Sequence, residues 1–86
     1  MYILSKDGKK LISFNKVSSI EIKGGIYYPD RKWWDIRVMY PAVSSDVLYD
    51  RIGDYHTAEE CKDAFNKLCC RIVSGKENEV IDMNDL

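Results

Sequence analysis

Long apolar runs are missing from this chain. No stretch approaches the roughly 18 consecutive apolar residues of a membrane-spanning helix. The opening Met1-Tyr2-Ile3-Leu4-Ser5-Lys6-Asp7-Gly8 turns polar after four residues, too early for the apolar segment of a signal peptide. A cytoplasmic address is therefore the expectation. Proline is scarce, with two residues, and glycine is limited to five. No repeat, linker or low-complexity tract divides the 86 residues, which read as one domain. Disorder is excluded by an apolar share of 45% against 31% charged.

Cysteine is also short. Three residues, Cys61, Cys69 and Cys70, cannot all pair within one chain, and all three fall in one expected helix. The even, spread-out cysteine framework of a small secreted domain is absent, so they read as small hydrophobes rather than metal ligands or a disulfide. His56 is the single histidine. It has no second ligand at metal spacing and no nucleophile set for a base, so it reads as an exposed loop residue. Gly24-Gly25 leads into a tyrosine-rich loop instead of a helix N-terminus, which removes a phosphate loop. No enzyme, metal site or cofactor is expected.

What is present is alternation. Tyr2–Ser5 and Lys10–Phe14 read as short strands around an Asp7-Gly8 turn. Val17–Lys23 follows, with Ile20 and Ile22 on one face and Gly24-Gly25 at its end. Trp33–Tyr40 is the clearest strand: Trp34, Ile36, Val38 and Tyr40 share the core face, and Trp33, Asp35, Arg37 and Met39 share the solvent face. Residues 46–52 form a strand of ambiguous facing, with room for a bulge. Leu48 and Ile52 are assigned inward, and Gly53-Asp54 marks the end.

Thr57-Ala58-Glu59-Glu60 is a capping box. Cys61, Ala64, Phe65, Leu68, Cys69, Ile72 and Val73 follow at helical spacing, with acids early and bases late, as the helix dipole favours. Residues 79–83 read as a last strand before a frayed acidic tail. The fold class is α+β: a mostly antiparallel sheet of five to six short strands, packed on one C-terminal amphipathic helix as a two-layer sandwich. The sheet's other face stays open.

Two functions compete for that face. Trp33, Met39, Arg37 and Tyr49 offer the aromatic and arginine anchors of a protein interface. Residues 1–37 hold eight basic against four acidic side chains, and residues 38–86 five against ten, so halves of +4 and −5 combine to −1. Opposite ends of this kind favour two copies in register. A self-associating interaction module, most simply a homodimer, or one with another protein partner, is the expectation. The alternative is single-stranded nucleic acid, held by stacking and phosphate contacts at Tyr27, Tyr28, Arg31, Lys32 and Trp33. A pI near 5.7 speaks against it.

Met1-Tyr2-Ile3-Leu4-Ser5, Leu11-Ile12 and Val17-x-x-Ile20-x-Ile22, together with Ile52-Gly53-x-Tyr55-x-Thr57-x-Glu59-Glu60, Gly75 and Val80-x-x-Met83, resemble small uncharacterised proteins of Gram-positive bacteria and their phages. The resemblance implies a single cytoplasmic domain and brings no activity or site residue with it.

Overall fold

The computed structural model describes residues 1–27, 31–41 and 48–86; the side chains of residues 26, 27, 31 and 32 also lie outside that description. Among the described residues, six strands and one α-helix follow in the order β1 (Tyr2–Leu4), β2 (Leu11–Ser13), β3 (Ser19–Tyr27), β4 (Arg31–Met39), β5 (Tyr49–Tyr55), α1 (Ala58–Ser74) and β6 (Val80–Asp82). This is the expected α+β class. The strands form two three-stranded sheets rather than one, in the orders β2-β1-β6 and β3-β4-β5. β1 runs antiparallel to β2 but parallel to β6, so the two ends of the chain meet in one small sheet.

The helix starts where the capping box places it. Thr57 is extended and its hydroxyl accepts from the Glu60 N–H at 3.1 Å. Cys61, Ala64 and Leu68 point into a core shared with Ile36, Val38 and Ile52 of the larger sheet and with Ile3, Ile12, Ile81 and Met83 from the smaller one. Phe65 and Ile72 pack at its margin, whereas Val73, assigned to the stripe, is 87% exposed. Five residues past Leu68, it lies about 140° around the helix from that buried side chain, whereas Ile72, four residues past, stays near the stripe.

Other boundaries move for identifiable reasons. The β1–β2 connection is a six-residue loop and not a two-residue turn. Its organiser is Ser5, whose buried hydroxyl donates to Asp7 and accepts from the Lys10 N–H, while Gly8 takes a φ of 73°. Phe14 leaves β2 for a 3-10 turn over Phe14–Lys16. β3 begins only at Ser19, and Gly24-Gly25 continue it instead of ending it. Each faces a tryptophan in register, Gly24 across from Trp34 and Gly25 across from Trp33, and the two rings occupy the space beside the glycines. An aromatic ring laid over a strand glycine replaces the packing it lacks.

β5 carries the bulge. Ile36 pairs with Gly53 and Arg37 with Arg51, which leaves Ile52 as the extra residue, and Ile52 and Gly53 are both buried. The strand therefore runs through Gly53-Asp54 to Tyr55. Ile52 is inward, as expected. Leu48 is not: it lies just past the last pair, Met39 with Tyr49, and is 54% exposed. Residues 46 and 47 of the expected strand, and the connection at 42–45, lie outside the described residues. The tail is anchored rather than frayed: Met83 is buried at the start of a second 3-10 turn, and Leu86 packs on the core.

Candidate interaction site

The side of the β3-β4-β5 sheet turned away from α1 gathers most of the residues singled out in the sequence. Strand alternation and register place Trp33, Asp35, Arg37 and Met39 of β4 there, with Tyr49 and Arg51 of β5 opposite Met39 and Arg37. Trp34 and Tyr40 pack on the core side, as assigned.

Asp35 departs from its assignment to solvent. Only 1% of it is exposed. Arg37 covers it, donating Nε to Oδ1 at 2.8 Å and Nη2 to Oδ2 at 3.4 Å, and Arg51 Nε lies 3.4 Å from Oδ2. A buried carboxylate without such partners would carry a prohibitive desolvation cost. Sequence alternation names the i, i+2 pair Asp35-x-Arg37 as neighbours on one face. Arg51 is brought alongside only by the β4–β5 register, which the bulge sets, and so was missed.

The arginines are fixed from above as well as below. The Arg37 guanidinium lies 4.5 Å from the Tyr49 ring centre and 5.3 Å from that of Trp33, and Arg51 lies 5.4 Å from Trp33. A guanidinium stacked on rings while bonded to a carboxylate has few rotamers left, so the patch is rigid before anything docks. Trp33 and Met39 are half-buried and Tyr49 is exposed. All four interface residues assigned from the sequence thus occur on one face, with Asp35 and Arg51 added.

The alternative set is less complete. Tyr28 lies outside the described residues, as do the side chains of Tyr27, Arg31 and Lys32, whose backbones pair Tyr27 with Arg31 at the hairpin end. His56 is exposed in the turn before α1. Cys61 is buried, Cys69 half-buried and Cys70 exposed, and all three are free. Burial pushes the Cys61 thiol above its ordinary pKa, with the Asp35 charge adding to it. Among the described residues no group of three His, Cys, Asp or Glu side chains is placed to hold a metal ion. No described helix is long and apolar enough to cross a membrane.

A second polar cluster joins the two sheets. Asp50 accepts from the Tyr40 hydroxyl at 2.7 Å and pairs with Lys10. The Lys10 bond and then the Tyr40 bond hold the Asp50 carboxyl below its usual range. Burial, with the Asp50 hydrogen bond and charge, raises Tyr40 to about 12. Nearby, Lys6 stacks 4.2 Å from the centre of the Tyr55 ring, whose buried hydroxyl has no hydrogen-bond partner among the described residues.

Compared with known protein families, curated proteins and solved structures, the chain matches none.

Proposed function

We propose that this protein is a small, non-enzymatic cytoplasmic interaction module that self-associates through the face bearing Trp33, Arg37, Met39 and Tyr49. The observation that carries the reading is the Arg37 guanidinium, held between two aromatic rings above a buried carboxylate. Aromatic and arginine side chains are the groups that anchor protein interfaces, and a patch already ordered loses little entropy on docking. Charge supports a second copy as the occupant. Glu21 shares a register with Arg37 and Arg51, and Lys23 shares one with Asp35 and Asp54, so among the described side chains of these two registers the face carries both signs in equal measure. A balanced surface complements a rotated copy of itself better than it complements a polyanion.

Sedimentation velocity of the Trp33→Asp variant tests this. The expected result is half the wild-type number of copies in the assembly, with an unchanged far-UV CD spectrum. An assembly of unaltered size removes the face from the interface. Single-stranded nucleic acid is the second reading, supported by Trp33 lying between Arg37 and Arg51. It calls for oligonucleotide binding that weakens steeply as salt rises. No binding at low salt eliminates it.

A further inference from the structure

The β3-β4-β5 sheet has two edges, and the chain treats them differently. At β5 the edge is blunted. The bulge at Ile52 interrupts it, the Ile52 carbonyl accepts from the Lys6 N–H at 2.7 Å, and the Asp54 carbonyl accepts from Lys6 Nζ at 2.8 Å. The strands of the smaller sheet are three residues each, too short to template much pairing. β3 has none of these protections. It is nine residues long, contains no proline, pairs with β4 without a register shift, and has no strand on its outer side among the described residues. Ile20 and Ile22, on the core face, are only half-buried, whereas Ile36 and Val38 on the same face of β4 are fully buried. Among the described residues, the isoleucines of β3 have no neighbouring strand on one flank.

We infer that the outer edge of β3 pairs antiparallel with β3 of a second copy, about a two-fold axis through Ile22, to form one continuous six-stranded sheet. The register follows from charge. With Ile22 opposite Ile22 of the second copy, Glu21 faces Lys23 of the second copy and Lys23 faces its Glu21. Sliding the axis to Glu21 or to Lys23 sets like charges directly opposite, which is destabilising in a sheet. Within one chain these two side chains make only a loose, exposed pair at 3.8 Å. The match extends inward as far as β4, because Arg37 neighbours Glu21 and Asp35 neighbours Lys23. The row Arg37, Glu21, then Lys23 and Asp35 of the second copy alternates in sign without a break. On the core side, Ile20 meets Gly24 of the second copy, the glycine covered by Trp34.

This contact is separate from the face contact under Proposed function and does not rest on it. Its axis stands perpendicular to the sheet, so the two Trp33-bearing faces end side by side, pointing the same way. Two such pairs stacked through those faces make a dimer of dimers, a common closed symmetry.

Charge pairing between variants tests the edge. Lys23→Glu alone sets Glu21 against a new carboxylate, and Glu21→Lys alone sets Lys23 against a new amine. Each is expected to halve the number of copies seen in sedimentation, and an equal mixture of the two variants is expected to restore it. Wild-type-sized assemblies from either variant alone, or a mixture no larger than its parts, overturn the inference. Hydrogen exchange on the wild type gives a readout free of any folding defect: amides of residues 19–25 should gain protection as protein concentration rises, and equal exchange at all concentrations overturns it too. The two contacts fail separately. Trp33→Asp halving the assembly while both edge variants leave it whole retains the face and discards the edge, and the reverse pattern does the opposite.

Discussion

The Trp34 ring lies over Gly24, its partner across β3 and β4, so closely that a methyl group on Gly24 would sit 2.5 Å from the ring carbons. Trp34 is packed against the core and has little freedom to withdraw. Gly24→Ala is therefore expected to cost about 1–3 kcal/mol through overpacking. Gly25→Ala, where the nearest Trp33 atom would be 3.0 Å away, is expected to cost less. Urea unfolding followed by tryptophan fluorescence ranks the two. The opposite order would mean that the outer ring, and not the inner one, is the rigid partner.

Asp35 holds two guanidinium groups in place from a fully buried position. Replacing it with alanine leaves Arg37, itself only 14% exposed in its side chain, without its main counter-charge. Breaking a buried pair from one side typically costs about 3–5 kcal/mol, a large share of what a small domain possesses. Asp35→Ala is expected to lower the melting temperature strongly at neutral pH. An unaltered melting temperature would show that the arginines hold each other through the aromatic rings alone.

The Tyr40–Asp50–Lys10 cluster sets a pH window at each end. Because Tyr40 titrates at about 12 in the folded chain and near its ordinary value of 10 when unfolded, its contribution is complete below pH 10 and is lost as pH rises to about 12. Asp50, held low, contributes above the ordinary carboxylate range and loses that contribution as pH falls through its depressed value. Tyr40→Phe should flatten the alkaline limb of a stability–pH curve. An alkaline limb of undiminished steepness would place its origin elsewhere.

Cys70 is exposed on α1 while Cys61 is buried, with its thiol pushed up by that burial. A thiol reagent should modify Cys70 in the native protein and reach Cys61 only on unfolding. Comparable native rates at the two positions would contradict the packing of the helix.

The legible parts of the fold are those with local causes. Thr57 and Glu60 place the helix start through three residues of sequence, and Trp33 through Tyr40 declare their two faces by strict alternation. The two-sheet arrangement has no such signal, because β1 meets β6 across nearly the whole chain and only tertiary packing decides it. The extension of β3 through Gly24-Gly25 depends on the rings of Trp33 and Trp34 from the next strand. The site is legible in the same measure. Alternation alone collects Trp33, Arg37 and Met39, and Tyr49 joins them across the strand pair. The burial of Asp35 is not readable from one strand, since it requires Arg51 to arrive from β5 in the register fixed by the bulge at Ile52.

The central claim is that the Trp33 face exists to meet a second copy of the chain. Sedimentation equilibrium of the wild type over a wide concentration range addresses it most directly. The account predicts a mass that climbs with concentration to a whole-number multiple of the 10.0 kDa chain. A mass that stays at a single chain up to millimolar protein would contradict it.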